Sequence, residues 1–212
     1  MTAAARLSRR WAPTIMALAL AGCSGLFGGD QPTQLYRVTP VHVFPPDLPN
    51  LPAQLLIDVP TAPAGLDTAR IALSRSAVSI EYFADSEWTD RVPLLVQTDL
   101  LQSFENSRGI KAIERQSAGL RADFVLKTEI RHFEAVYNSG EGAPLVWVAM
   151  VIRLVNPTSG DIIAQNTFER RERAAENRIP SIVAALDQAL DGVVEDIVAW
   201  TARNPALSAA RR

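Results

Sequence analysis

The sequence predicts an α+β domain in which a largely antiparallel sheet carries two long helices packed on one face. Three observations predict it. Residues 122–136 alternate between apolar and charged side chains, and the runs 145–155 and 162–171 flank an Asn-Pro-Thr-Ser-Gly-Asp turn. Residues 181–201 repeat apolar side chains at helical spacing.

From the N-terminus, Arg6, Arg9 and Arg10 precede an apolar run from Trp11 to Ala21, interrupted only by Pro13 and Thr14. Such a run, about eleven residues long, is too short for a membrane-spanning helix, which takes roughly 20. It closes on Leu20-Ala21-Gly22-Cys23, a bulky residue and two small ones before a thiol, which matches a bacterial lipobox. Residues 1–22 therefore read as a secretory signal. Cys23 reads as the first residue of the mature chain, bearing diacylglycerol and an N-acyl group. It is the one cysteine among 212 residues, so no disulfide framework, CxxC pair or cysteine-based metal cluster can form within the chain.

Cleavage would remove three arginines and no acid, taking the formal net charge from −2 to −5. A mildly acidic domain offers no electrostatic basis for nucleic-acid binding. It also lacks a polybasic patch, which leaves membrane attachment to the acyl chains, at about 0.8 kcal/mol for each buried methylene. Ser24 stands where Asp would signal retention at the inner membrane, so the expected location is the periplasmic face of the outer membrane.

Residues 23–52 read as a lipidated N-terminus and a Pro/Gly-rich tether, since Gly25, Gly28 and Gly29 lead into the first of eight prolines between positions 32 and 63. Within it, Tyr36-Arg37-Val38 can pair as an edge strand. The domain itself is expected over 53–203, a size suited to one core, with 204–212 as a polar tail.

Leu55, Leu56, Ile57 and Val59 make a first strand, and Ala77–Phe83 a second, with Ile80 and Tyr82 opposite Glu81. A helix is expected over Trp88–Phe104, striped by Val92, Leu95, Val96, Leu100 and Phe104. Asp99 interrupts that stripe. Pro93 fits the first turn, with Thr89 or Asp90 as the cap. After the turn at 106–109 comes a short strand, Ile110–Ile113. In 122–136, Phe124, Leu126, Thr128 and Ile130 oppose Lys127, Glu129 and Arg131. The strand 145–155 sets Val146, Val148, Met150, Ile152 and Leu154 on one side, and 162–171 returns as its hairpin partner. The last helix, 181–201, carries Ile182, Leu186, Leu190, Val193, Ile197 and Trp200 opposite Asp187, Asp191 and Glu195.

Catalytic patterns are missing from the sequence. Its two histidines, His42 and His132, sit in no HExxH or HxH spacing, and there is no GxSxG, GxxxxGK[ST] or GxGxxG. Asp85 and Glu87 form an acidic pair ahead of a helix, where carboxylates favour the positive end of the helix dipole and need no catalytic role. The chain is expected not to be an enzyme and to need no metal or cofactor. For a partner or lipid surface the sequence offers Trp147, which alternation turns away from the Val146/Val148/Met150 face, and Arg170, Arg171 and Arg173. Trp88 and Trp200 suit a core or a seam between elements.

The Leu-Leu-Ile-Asp-Val strand, Leu66-Asp67-Thr68-Ala69-Arg70-Ile71 and Ile80-Glu81-Tyr82-Phe83 run into Glu87-Trp88-Thr89-Asp90-Arg91-Val92-Pro93. With Thr158–Ala164 and the closing Ala199-Trp200, this order resembles the auxiliary lipoproteins of ABC-type transport systems, the group that includes the paraquat-inducible lipoprotein. The resemblance covers about 34–201, and Tyr82, Trp88 and Pro93 match its signature as architectural residues. It implies a non-enzymatic part of an envelope transporter that moves phospholipid or other hydrophobic molecules. Its partners would be an ABC permease and ATPase and a mammalian-cell-entry (MCE) domain protein. A stand-alone lipid carrier and an assembly lipoprotein of another envelope machine stay open, as does a homo-oligomer.

Overall fold

The longest strand organises the molecule. In this computed structural model, which describes residues 32–115, 122–137, 142–205 and 207, one mixed sheet of eight strands carries two helices. In chain order these are β1 (Gln34–Tyr36), β2 (Leu51–Ile57), β3 (Arg70–Ser74), β4 (Glu81–Trp88), α1 (Val92–Ser107), β5 (Ile110–Arg115), β6 (Phe124–Val136), β7 (Leu145–Val155), β8 (Ile162–Arg173) and α2 (Ile179–Ala202). One edge of β6 pairs with β7 from end to end. Its other edge is shared, β2 taking the N-terminal half and β3 the C-terminal half.

The sheet is mixed, which corrects the expectation of a largely antiparallel one. Pairs β1–β4, β2–β5, β2–β6 and β3–β6 run parallel, while β3–β4, β6–β7 and β7–β8 run antiparallel. Alternation reports which face of a strand is buried and carries no information on the direction of its neighbour. The hairpin around Asn156–Asp161 was legible because its connection is short. Parallel partners need long crossovers, such as the passage through β3, β4 and α1 that separates β2 from β5.

Two helices on one face do form. Ile182, Leu186, Leu190, Val193 and Ile197 of α2 and Val92, Val96, Leu100 and Phe104 of α1 enter one core with Val146, Val148, Met150, Ile152 and Leu154 of β7. Phe124, Leu126 and Ile130 of β6 join them, followed by Phe133 and Ala135. That change of parity is a bulge, because β6 carries an extra residue between Ile130, opposite Met150, and His132, opposite Ala149.

Several element boundaries differ from expectation. Strand β3 was not anticipated, since it is four consecutive buried residues flanked on both sides by strands. The strand expected over 77–83 lies later, at 81–88, and Trp88 closes it instead of opening a helix. Its polar stretch Asp85-Ser86-Glu87 hides it, with Asp85 at φ 53° and Ser86 turned inward. Helix α1 begins at Val92 with Pro93 in its first turn, and the residue ahead of it is Arg91 with no side-chain cap, in place of Thr89 or Asp90.

The proline-rich stretch is packed on the domain from Gln34 onward. A compact unit starts at Thr33. Strand β1 pairs parallel with β4, and Val41 is buried against the core. Thr39 donates its amide and its hydroxyl to Asp187, both at 2.8 Å. The Val41 amide donates to Ser103 Oγ at 3.0 Å, and Asn106 Nδ2 donates to the Val41 carbonyl at 2.8 Å. Residues 37–48 thus form a strap across both helices. The C-terminal tail is likewise not wholly polar, for Leu207 is 3 % exposed and joins the core.

Candidate functional site

The β6 bulge decides what the outer, helix-free face of the sheet displays. Strict alternation from Ile130 would bury His132 and Glu134; the extra residue turns both outward. There the His132 ring stacks on Trp147, centroids 3.3 Å apart and planes 10° from parallel. On β8 the Arg171 guanidinium lies 4.0 Å from the Trp147 ring centroid. A row His132–Trp147–Arg171 therefore crosses three strands. Carboxylates hold two of its members: His132 Nδ1 lies 2.8 Å from Glu134 Oε1, and Trp147 Nε1 donates to Glu169 Oε2 at 3.2 Å. An exposed cation–π contact contributes about 0.5–1 kcal/mol, so the row orients its side chains more than it stabilises the fold.

Beside this row lies a cleft of about 460 Å³ between the 74–79 segment and β6, with Ser74, Arg75, Ser79, His132, Glu134 and Tyr137 among its walls. Arg75 sits 4.9 Å from the Tyr137 ring centroid and pairs with Glu81. Burial raises the Tyr137 phenol above its ordinary range. Further along the same face, Arg153 and Arg131 hold the Glu129 carboxyl below its ordinary range, the Arg153 hydrogen bond being the main cause.

The residues expected to form one partner surface divide. Trp147 does leave the Val146/Val148/Met150 face, but it is half-buried between His132 and Arg171. Arg171 belongs to the row. Arg170, one residue away, points to the helix side and pairs with Asp196 of α2, its side chain lying over Gly192. Arg173 donates to the Ala143 carbonyl at 3.0 Å. Trp200 packs edge-on against Phe168. His42 meets Asn106 on the strap, far in sequence from His132.

The signature residues are structural. Trp88 is 2 % exposed and packs edge-on against Phe133. Tyr82 donates its hydroxyl to the Gly65 carbonyl at 3.0 Å beneath the Arg70 guanidinium. Pro93 is buried in the first turn of α1. Asp85 and Glu87 lie in β4, not in a turn before the helix, and neither lines the cleft. Among the described residues no group of three His, Cys, Asp or Glu side chains is placed to hold a metal ion. No helix among them is long and apolar enough to cross a membrane. Cys23 lies outside the described residues.

Sequence reasoning missed a second polar cluster. Asp99 of α1 is 2 % exposed, and neither of its carboxylate oxygens has a hydrogen-bond partner. Burial, then the nearby Asp191 and Asp187 charges, push its pKa up to about 8. Burial, Asp187 and Glu195 likewise raise Asp191 to about 6. The signal was present as the acid that breaks the apolar stripe of α1.

Sheet order, two helices on one face and a set of structural aromatics define a small α+β domain. Residues 37–198 match the family of ABC-type transport auxiliary lipoprotein components, and the chain belongs to that family. An uncharacterized protein of Bradyrhizobium diazoefficiens is 32 % identical over 184 residues, which is 86 % of this chain and 49 % of that one; the chain spans about half the length of this curated relative. A crystal structure of a Xanthomonas campestris protein of a domain family without assigned function is similar with a TM-score of 0.74 at 24 % identity, covering 79 % of this chain and 94 % of that one. A further uncharacterized protein matches with a TM-score of 0.61 at 16 % identity, over 79 % and 97 % of the two chains. Both structural likenesses speak to the fold alone.

Proposed function

We propose that the protein is a non-enzymatic, lipid-anchored auxiliary subunit that docks the periplasmic part of an ABC/MCE-type transporter at a membrane, for passage of phospholipid or other hydrophobic molecules. The observation that carries this reading is the family match over 37–198, set fourteen residues beyond a lipobox cysteine. Diacylglycerol and an N-acyl group on Cys23 hold the chain at the periplasmic face of the outer membrane. Residues 24–32 serve as the spacer. Confinement to a leaflet raises the local concentration of the domain for its partners, an MCE-domain protein with its permease and ATPase.

The outer face of the sheet is the docking surface in this reading. His132, Trp147 and Arg171 are held in place before any partner arrives, which lowers the ordering cost of association. Aromatic and arginine side chains are also the types that dominate binding hot spots. A stand-alone carrier would instead need an apolar cavity between helices and sheet, and Phe104, Phe133, Leu190 and Met150 fill that space.

The test is a photo-crosslinking amino acid at position 147 of the full-length chain in its native membranes. Crosslinks to MCE or permease subunits are expected. Crosslinks confined to a secretin or another machine's β-barrel would overturn the proposal.

A further inference from the structure

The strap spans two helices, and two of its residues, Thr39 and Val41, hold different ones. Thr39 is bound to α2 through both oxygens of Asp187. Val41 is bound to α1 through Ser103 and Asn106. Any separation of α1 from α2 therefore breaks one set of bonds or the other. Asp99 lies one turn before Ser103 on α1, and Asp191 one turn after Asp187 on α2. The groups that hold the strap and the groups that crowd the seam thus lie one helical turn apart.

Among the described residues, the charges that act on Asp99 and Asp191 across the seam are all carboxylates. From α2 it receives Asp187, Asp191 and Glu195, and from α1 Asp99. From the strap it receives the neutral Thr39, while His42 is engaged with Asn106 near the other end of α1. Arg115 of β5, packed on α1, donates to Gln97 Oε1 and Thr98 Oγ1. Asp196 is taken up by Arg170 on the sheet side of α2. A buried carboxylate with no donor is expensive in its charged form. Two unpartnered oxygens at 2 % exposure are compatible with a close-packed seam when Asp99 holds a proton.

We propose that the α1–α2 seam is a proton-binding latch, in which protonated Asp99 lets the helices stay together and so keeps the strap clipped between Asp187 and Ser103. Loss of the proton places a third charge beside Asp187 and Asp191, the helices part, and the strap lets go. The N-terminal arm is then held by β1, an edge strand of three residues, while the far end of the strap stays fixed by Phe44, Leu48 and the Asp47–Arg203 pair. If Cys23 is the membrane anchor, as proposed above, the latch sets how far the domain can stand from the bilayer. The latch itself does not depend on the lipid.

Hydrogen–deuterium exchange of the full-length chain in detergent, read on peptides covering 36–44, tests this. Each rate is divided by the intrinsic rate at that pH, with a β6–β7 peptide as internal reference. In the wild type, protection of 36–44 is expected to fall at least tenfold from pH 6 to pH 9 while the reference stays constant. Asp99→Asn, which cannot ionise, is expected to keep its pH 6 protection at pH 9. An infrared band of a protonated carboxyl at pH 7, lost in Asp99→Asn, is the companion measurement. Equal protection of the wild type at both pH values, the same loss in the variant, or absence of that band would each overturn the latch. None of these outcomes bears on whether Cys23 is acylated.

Discussion

Thr39 and Asp187 lie 148 residues apart, yet the amide and the hydroxyl of the one donate to the two carboxylate oxygens of the other, each at 2.8 Å. This bidentate contact joins the proline-rich arm to the last helix. It also explains why the folded unit starts well before the first strand of the core.

Thr39→Val keeps the amide bond to Asp187 and removes the hydroxyl one. A hydrogen bond to a charged group contributes about 1.5–3 kcal/mol when buried, and this one is exposed, so a loss of about 1 kcal/mol is expected. Urea unfolding should show a lower midpoint with an unchanged slope.

The pH dependence of stability follows from Asp99. Its pKa in the fold is about 8, against an ordinary value of 3.8. Between those values the folded chain holds a proton that the unfolded chain has released, so stability falls as pH rises through that window and levels off above it. Each pH unit within it costs the fold about 1.4 kcal/mol. Asp99→Asn should be more stable than the wild type at pH 8, with the gap closing toward pH 4, as read by denaturant titration.

Trp88 and Trp147 should separate in effect. Trp88→Ala empties a fully enclosed site beside Phe133 and should cost about 3–5 kcal/mol. Trp147→Ala removes a half-buried ring from the outer face, and about 1–2 kcal/mol is expected from the lost contacts. Thermal unfolding checks the difference, and under the proposed function the second variant also loses partner capture while remaining folded.

Arg170 and Arg171 are neighbours in sequence and opposites in space. Arg170→Ala breaks the pair with Asp196 on α2 and should weaken the fold by about 0.5–1 kcal/mol, since both partners are partly exposed. Arg171→Ala should cost a similar amount, about 0.5–1 kcal/mol for the lost cation–π contact, and it alone should lower crosslinking from position 147. Either residue showing the other's pattern would contradict the assignment of faces.

Ending the chain at Arg203 removes Leu207, which is almost fully enclosed. Loss of its burial should cost about 1.5–3 kcal/mol, measured as a drop in unfolding free energy.

The sequence made the hairpin β7–β8 and the helix α2 legible because each carries its own period and a short, turn-rich connection. It did not reveal that β2 and β3 share one edge of β6, because alternation is blind to strand direction. The outer-face site was half legible: parity turned Trp147 out of the core, but the stack with His132 depends on a bulge that no alternation pattern announces. Reading Arg170, Arg171 and Arg173 as one surface failed for the same reason that strands are informative, since successive side chains go to opposite faces. Asp99 was visible as a fault in an otherwise apolar stripe. Its meaning required knowing that α2 brings Asp191 against it.

The proposed anchor at Cys23 is the claim on which the functional account stands. Growth with radiolabelled palmitate, followed by fractionation, tests it most directly. The wild-type chain is expected to carry label and sediment with membranes, while Cys23→Ala carries none and becomes soluble. An unlabelled wild type, or a Cys23→Ala chain that stays with the membrane to the same extent, would contradict it.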